Sequence, residues 1–342
     1  MISLNNFFQQ ITMTKVVAFV LLYSLSILDI SSGQVSGSCD LGPRLYCYCS
    51  YVESVGRYSV DCSGLRFNGF PIGTLEIVNP GGRDVYRISF RDSGVTDIFE
   101  NAFDAMPNLF SLDLRNNQIT TFPANALKSL TLVQEMDVAY NRLTEIPNGA
   151  LDHMTSLRDF DGRGNRLITV GETAFAGQST SLQEIDLAYN QLPGIPDALK
   201  SLSALQILDL SYNTFSPSSL PSGIFNNMNA LTSLNLQRTL ILNIDPQAYV
   251  GLESSVDRIV VANNNLTTLE RCTFEKLTAL TTLWVDSNPF VCGCELAWLE
   301  RFFASWPVWR QARCRPVSGG SEVNITDFVF QNCSGYQPPA CP

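Results

Sequence analysis

The sequence contains a single histidine, His153, and few of the residue patterns on which enzymes depend. Ser-His-Asp and Cys-His catalysis both need an imidazole base beside a nucleophile, whereas His153 lies in "ALDHMTSL" without a predicted nucleophile nearby. No glycine-rich phosphate loop follows a predicted strand. We therefore expect a non-enzyme, with no catalytic residues and no cofactor.

Basic residues and long apolar runs are also scarce. The chain has 22 Lys and Arg against 32 Asp and Glu, a net charge of −10. A negative field does not attract phosphate groups, which argues against nucleic acid and anionic membrane surfaces as partners. After the first 33 residues no stretch approaches the ~20 apolar residues of a spanning helix. We expect no membrane span.

One apolar run stands at the start of the chain. Lys15 precedes the run from Val16 to Leu28, and the small residues of "SSG" end at Gly33. A charged start, a short apolar centre and a small-residue exit are typical of a secretory signal. This pattern predicts cleavage near Gly33 and a secreted, extracellular mature protein. An uncleaved signal anchor is the alternative.

Cysteine is absent from residues 63–271 but frequent on both sides. The ten cysteines are Cys39, Cys47, Cys49, Cys62, Cys272, Cys292, Cys294, Cys314, Cys333 and Cys341. An even number in an exported chain indicates disulfides. Zinc would need a richer set of ligands than C-x-C pairs and one distant histidine. We therefore expect no metal site.

Between the cysteine groups the chain repeats one pattern, L-x-x-L-x-L-x-x-N-x-L. It begins at Val85, Leu109, Val133, Leu157, Leu182, Leu205, Leu231, Val256 and Leu280, with steps of 23 to 26 residues. We number these segments rows 1 to 9 and count slots from the first residue of each row. A regular period of this length predicts a solenoid in which each row buries its apolar slots against its neighbours.

The rows resemble the extracellular leucine-rich repeat family. The resemblance implies an α/β solenoid, a leucine-rich repeat horseshoe with a parallel β-sheet on its concave face and disulfide-capped ends. It divides the chain into a signal peptide (1–33), an N-terminal cysteine-rich cap (34–84), nine rows (85–288) and a C-terminal cysteine-rich cap (289–342). The cap segments "CDLGPRLYCYCSYVESVGRYSVDC" and "NPFVCGCELAWLERFFASW" carry the likeness at the ends.

The family's caps also imply disulfide pairs. These are Cys39–Cys49, Cys47–Cys62, Cys292–Cys314 and Cys294–Cys333. Cys272 and Cys341 fall outside the cap pattern. They either pair with each other and strap the tail to the last rows, or form a bridge to another chain.

The outward slots of the predicted sheet form columns. Slot five carries aspartates, slot seven arginines and slot eight tyrosines, which together suit a protein or peptide partner. The predicted binding residues are Arg115, Asp137, Tyr140, Asp161, Arg163, Asp186, Tyr189, Asp209 and Tyr212. Since aspartate is common in slot five of this family, a structural role in the repeat is the alternative for that column.

Row 4 departs from the pattern. Gly162 stands where a leucine should point inward, and Gly164 lies between the tyrosine slots of rows 3 and 5. The glycines predict a thin place in the core and a notch flanked by Tyr140 and Tyr189. Compensation by Phe160 is the alternative.

Three sequons, at Asn265, Asn324 and Asn332, predict glycosylation. The function predicted is a secreted, non-enzymatic binding module that recognises an extracellular protein or glycan on its concave face. The alternative is a stable non-catalytic subunit of a secreted enzyme complex. This alternative is favoured by the N-terminal cap segment "YCYCS…GRYSVDCSGL", which is similar to the leucine-rich repeat subunit of a crustacean luciferase.

Overall fold

A computed structural model of the chain describes residues 36–40, 46–65, 72, 85–299, 302, 312–337 and 341. The predicted signal segment lies outside these residues. Within them, no helix is long and apolar enough to cross a membrane. The rows stack as successive coils of a solenoid, and each row contributes one short strand to a common sheet.

The main sheet has twelve strands. In spatial order they are Ser36–Asp40, Tyr46–Val52, Arg57–Asp61, Val85–Ser89, Ser111–Asp113, Glu135–Asp137, Asp159–Asp161, Glu184–Asp186, Ile207–Asp209, Ser233–Asn235, Arg258–Val260 and Thr282–Trp284. The first three pair antiparallel, and all later neighbours pair parallel. Slots three to five of one row align with the same slots of the next, as in Glu184–Asp186 against Ile207–Asp209. The columns predicted from the repeat are therefore real columns in space.

The remaining strands are short. Glu145–Ile146 pairs with Thr169–Val170, and Ser219–Leu220 pairs with Asn243–Ile244. Phe290–Val291, Arg313–Arg315 and Val323–Asn324 form a three-stranded sheet in the C-terminal cap.

The side of the rows opposite the main sheet consists of turns and short helices. The 3-10 helices are Ala124–Leu127, Ala176–Gln178, Asp197–Ser201 and Cys294–Leu299, and the α-helices are Arg271–Glu275 and Ile325–Asn332. The horseshoe with a parallel sheet is as predicted, but its helical component is smaller than an α/β label suggests. A row that returns to the sheet within 23 to 26 residues leaves room for about one helical turn on its back.

The core runs without interruption from the rows into the C-terminal cap. A series of aromatic rings connects Phe225, Tyr249, Phe274, Trp298 and Phe302, with centroid distances between 5.3 and 6.2 Å. Trp298 and Phe302 belong to the C-terminal cap. They cover the last row, which would otherwise expose its apolar slots to water.

In rows 2 to 6, 8 and 9, a buried asparagine in slot nine joins the row to the one before it. The Asn190 carboxamide donates to the carbonyls of Gly162 in row 4 (3.1 Å) and Leu187 in row 5 (3.1 Å), and its oxygen accepts from the Leu167 N–H (3.0 Å). The same bonds recur at Asn117, Asn141, Asn165 and Asn264. These side chains satisfy backbone groups that the turn buries away from water.

Row 7 has threonine in this slot, and its bonding differs. The Thr239 hydroxyl donates to the Leu236 carbonyl at 2.8 Å. The Phe215 N–H of row 6 then bonds to the Thr239 backbone carbonyl (3.2 Å) rather than to a side-chain oxygen. The backbone thus replaces the missing carboxamide, and the sheet continues in register through Ser233–Asn235.

Disulfides lie near both ends of the solenoid. The pairs are Cys47–Cys62, Cys272–Cys341, Cys292–Cys314 and Cys294–Cys333. Cys49 is also disulfide-bonded; its pairing with Cys39 stays a prediction. Of the two readings for Cys272 and Cys341, the structure has the intrachain strap. Glu275 lies beside this pair, but disulfide sulfurs are not thiolate ligands and the three groups do not make a metal site.

We expect Asn190→Ala to lower the free energy of unfolding by about 3 kcal/mol or more, because the Gly162 and Leu187 carbonyls and the Leu167 N–H lose a partner while buried. Urea denaturation measures the change. Asn101→Ala, which truncates an exposed asparagine, is the control and should change stability by less than about 0.5 kcal/mol. Equal effects of the two substitutions would contradict the role assigned to slot nine.

Candidate binding face

In rows 3 to 5, slots three and five project from the open face of the main sheet, because slot four between them points into the core. In row 5, Ile185 is buried, Asp186 is partly exposed and Glu184 is exposed. Rows 3 and 4 repeat this alternation at Glu135–Asp137 and Asp159–Asp161. The open face is therefore the surface on which the strand side chains meet solvent.

The slot-five aspartates have a structural role. One carboxylate oxygen of Asp186 accepts the Ala188 N–H at 2.9 Å, and Asp137 and Asp161 accept the N–H groups of Ala139 and Arg163 in the same way. Each carboxylate thereby fixes the turn that ends its own strand. This contact supports a structural role of the column in the repeat and leaves the second oxygen of each carboxylate for other contacts.

Two arginines in slot seven reach the aspartate of the following row. Arg115 lies 3.3 Å from the Asp137 carboxylate, and Arg163 lies 3.3 Å from the Asp186 carboxylate. Asp209 instead accepts the side-chain amide of Asn235 at 2.8 Å. The predicted arginines and aspartates thus contact one another along the sheet.

The prediction missed a second acidic column in slot three. Glu135, Asp159 and Glu184 lie in register with one another, two residues before the aspartates of slot five. The strand alternation that placed slot five outward also places slot three outward, so the signal was present in the sequence. Rows 3 to 5 together bring six carboxylates onto one face.

These carboxylates line a groove of ≈ 480 Å³ on the open face. Its lining residues include Arg87, Asp113, Glu135, Asp137, Asp159, Asp161, Arg163, Glu184 and Asp186. The Arg87 side chain pairs with Glu135 at 2.9 Å. Four of the predicted residues line the groove, namely Asp137, Asp161, Arg163 and Asp186. Arg115, Asp209 and the three tyrosines are not among its lining residues.

The environment of the groove favours the protonated form of its carboxyl groups. Burial, with repulsion from the Asp209 and Asp161 carboxylates, raises the pKa of Asp186 to about 6, although the Ala188 N–H and Arg163 oppose the shift. Burial and neighbouring carboxylates also raise the pKa values of four other groups, which are Asp137, Asp159, Asp161 and Glu184. A cation in the groove would offset the repulsion between the carboxylates and favour their ionised forms.

The Asp186 pKa gives a pH dependence of stability with a definite sign. Its folded-state value of about 6 lies above the unfolded value of about 3.9. The folded chain therefore binds the proton more tightly, and ionisation of Asp186 lowers the free energy of unfolding as pH rises through about 6.

Asp186→Asn keeps the oxygen that accepts the Ala188 N–H and removes the charge. We expect the variant to lose part of the decline in stability between about pH 4 and pH 7, the range from the unfolded pKa to just above the folded one. Denaturant unfolding across this range measures the decline. Asp104→Asn, at an exposed position on another surface, should keep the wild-type profile. Parallel profiles for wild type and Asp186→Asn would refute the shifted pKa.

Slot eight adopts a left-handed backbone in every row. Its residues are Asp92, Asn116, Tyr140, Gly164, Tyr189, Tyr212, Arg238, Asn263 and Ser287, with φ between 53 and 66°. Asparagine, aspartate and glycine tolerate this conformation best. Three tyrosines in such a slot are unusual, and the side chains of Tyr140 and Tyr189 are 43% and 50% exposed.

The tyrosines form a ladder with two arginines beside the acidic groove. The rings of Tyr189 and Tyr212 stack with centroids 4.1 Å apart. The Arg238 guanidinium lies over Tyr212, 5.2 Å from the ring centroid, and that of Arg163 lies over Tyr140 at 5.5 Å. Stacking fixes the rings in place, so the edge of the groove offers a rigid aromatic surface.

The predicted thin core and notch at row 4 are wrong. A Cβ at Gly162 would lie 2.9 Å from the Phe160 ring and 3.1 Å from the Leu187 side chain, so these groups occupy the leucine's space. The Tyr140 ring lies over Gly164, 2.5 Å from where a Cβ would be. Both glycines make room for aromatic rings. The Phe160 alternative is the correct one.

Gly164→Ala should destabilise the fold for two separable reasons. Its φ of 66° costs an L-residue about 1 kcal/mol, and the added methyl meets the Tyr140 ring. In a Tyr140→Asn background only the backbone cost should remain. A double-mutant cycle of denaturation free energies isolates the steric part. The same loss in both backgrounds would mean that Tyr140 does not lie over Gly164.

Comparison with known families agrees with this architecture. A "Leucine rich repeat" model matches residues 83–143, 107–167 and 163–215, and a "BspA type Leucine rich repeat region (6 copies)" model matches residues 197–290. Together the matches span more than half of the chain. The protein therefore belongs to the leucine-rich repeat proteins.

Individual relatives are more distant. The chain is 32% identical over 91 residues to Leucine-rich repeat-containing protein 3B of Danio rerio, a match that covers 27% of this chain and 34% of that protein. The match thus spans about a third of the relative's length.

Two solved structures share the fold. One is a chain of the octameric complex of Latrophilin 3, Unc5D and FLRT2, with TM-score 0.53, 21% identity and coverage of 70% of this chain and 78% of that one. The other comes from the Toll–Spatzle complex of Drosophila, with TM-score 0.52, 20% identity and coverage of 64% and 30%. At these sequence identities the similarity shows a shared fold and nothing more.

Proposed function

We propose that the protein is a secreted, non-enzymatic recognition module that binds a cationic segment of an extracellular protein in the acidic groove. The observation that carries this proposal is the set of six outward carboxylates in rows 3 to 5, at Glu135–Asp137, Asp159–Asp161 and Glu184–Asp186. Lys or Arg side chains of a partner would complement this charge.

The electrostatics favour such an occupant. Carboxylates on neighbouring strands, about 4.8 Å apart, repel by about 0.9 kcal/mol per pair even in water. Arg115 and Arg163 offset part of this repulsion in slot five, and Arg87 pairs with Glu135. Asp159 and Glu184 keep raised pKa values, caused by burial and by neighbouring carboxylates. A cationic partner gains most at these two positions.

The tyrosine ladder supplies the second part of the surface. The exposed rings of Tyr140 and Tyr189 lie where the strands of rows 3 and 5 end. Tyrosine rings contribute contact area at little entropic cost and accept cations on their faces. A basic segment with interspersed apolar residues would contact the groove and the ladder together. This favours a protein over a neutral glycan.

The secreted location has separate support. Disulfides near both ends are typical of exported proteins. The solved structures that share the fold include a complex of Latrophilin 3 with Unc5D and FLRT2, and a complex of Toll with Spatzle. These partners belong to those proteins. For this chain the complexes support a binding role without identifying its ligand.

The permanent-subunit alternative has no observation in its favour. Cys272 and Cys341 form a disulfide with each other, which removes the covalent link that this reading would use. The resemblance to a crustacean luciferase subunit stays a prediction. The native mass of the protein in its secreted fluid, with and without reductant, tests it.

Binding to synthetic peptides tests the proposed function directly. Isothermal titration would compare a Lys/Arg-rich peptide, a Glu-rich peptide of equal length and a neutral chitin oligosaccharide. We expect only the basic peptide to bind. Its affinity should fall at high salt. It should also fall as pH falls through the Asp186 pKa of about 6, because Asp186 then loses its negative charge. The triple variant Glu135→Gln, Asp159→Asn, Glu184→Gln should weaken binding about tenfold or more, at about 0.5–1 kcal/mol per charge.

The slot-three residues suit this test because they lie outside the turn bonds that the slot-five aspartates make. The matched control removes the same charge from exposed Asp104, Glu145 and Glu172, which do not line the groove. Equal losses of affinity for the basic peptide in the two variants would mean that binding depends on the net charge of the protein and not on the groove. Binding of the chitin oligosaccharide, or of the acidic peptide, would overturn the proposal.

A further inference from the structure

One flank of rows 7 to 9 exposes apolar side chains outside the binding face. Leu240 and Leu242 are 46% and 58% exposed, while Ile241 between them is buried. They occupy slots ten and twelve of row 7. Slot ten of rows 1 to 6 holds glycine or a polar residue, so Leu240 departs from the repeat. It also adopts φ 64°, which a leucine disfavours.

Asn265 of the next row lies directly against this pair. Its backbone N–H donates to the Ile241 carbonyl at 2.8 Å. The following residues alternate as in row 7, with Asn265 and Thr267 exposed and Leu266 buried. The sequon Asn265-Leu266-Thr267 therefore presents both of its polar members on the flank that carries Leu240 and Leu242.

Row 9 and the C-terminal cap extend the apolar surface on the other side of the sequon. The Val291 N–H donates to the Thr267 carbonyl at 2.9 Å, and Val291 is 42% exposed. Val291 also lines a cleft of ≈ 370 Å³ with Pro316 and Val317. Asn265 is thus at the centre of an apolar flank, with leucines on one side and valines on the other.

The other two sequons are placed differently. The Asn324 side-chain amide donates to the Asp327 carboxylate at 3.3 Å, and that of Asn332 donates to the Phe328 carbonyl at 2.9 Å. Asn332 also adjoins Cys333, which is bonded to Cys294. Their amides take part in contacts of the C-terminal helix, away from the row 7 leucines.

We infer that Asn265 carries an N-linked glycan whose first sugars lie on the flank and cover Leu240, Leu242 and Val291. Clustered exposed apolar side chains mark surfaces that another group covers, and Asn265 lies between the row 7 leucines and Val291. Sugar rings present C–H faces that pack on aliphatic side chains, while their hydroxyls face water. The inference rests on the secretion part of the proposed function, since glycosylation requires export.

The test uses the full chain secreted from eukaryotic cells. Peptide mass spectrometry reports glycan occupancy at Asn265, Asn324 and Asn332. Binding of the apolar dye ANS and sedimentation velocity then compare wild type, Asn265→Gln and the matched control Asn324→Gln. We expect Asn265 to be occupied, and Asn265→Gln to raise ANS fluorescence several-fold and promote self-association. Asn324→Gln should behave as wild type.

A rescue variant tests whether Leu240 and Leu242 form the apolar surface that becomes exposed when the glycan is lost. Leu240→Asn and Leu242→Ser in the Asn265→Gln background should restore low ANS binding, and asparagine suits φ 64° at position 240. An unmodified Asn265 in secreted chain, unchanged ANS binding in Asn265→Gln, or no rescue would overturn the inference. Secreted chain with a bare Asn265 would leave the groove proposal intact, whereas a chain retained in cells without any glycan would overturn both.

Discussion

The slot-nine asparagines hold the solenoid together, because each of them bonds backbone groups of two rows at once. Asn190 donates to carbonyls of rows 4 and 5 and accepts an N–H of row 4. A coil of this kind buries polar backbone at every turn, and apolar packing alone would leave those groups without partners. The straight columns of the open face depend on this bonding, since it keeps successive strands in register.

The open face carries two acidic columns, in slots five and three, that have different roles. In slot five of rows 2 to 6, one oxygen of each aspartate fixes a turn, as Asp186 does with the Ala188 N–H, so these carboxylates already have a structural role. Slot three has no such role, and its occupants vary from Arg87 in row 1 to Ile207 in row 6. The acids of rows 3 to 5 in this slot are therefore the more informative residues about a partner.

Slot eight combines a constraint of the backbone with a feature of the surface. The left-handed turn would be satisfied most easily by asparagine or glycine, yet Tyr140, Tyr189 and Tyr212 occupy it in rows 3, 5 and 6. Row 4 has Gly164 in the same slot, and the Tyr140 ring covers it. Tyr140 thus extends the aromatic surface over row 4, while Tyr189 and Tyr212 stack on each other in rows 5 and 6.

The sequence by itself determined the period, the inward slots, the cysteine groups at the ends and the outward position of Asp137, Asp161 and Asp186. Local pattern suffices for these features, because each row repeats one backbone path. Only the tertiary structure decided how rows act on one another. It shows that Phe160 fills the space above Gly162, that Tyr140 covers Gly164, and that Cys272 bonds to Cys341. These contacts join residues of different rows or of the cap, where the outcome depends on ring orientation and distance rather than on residue type.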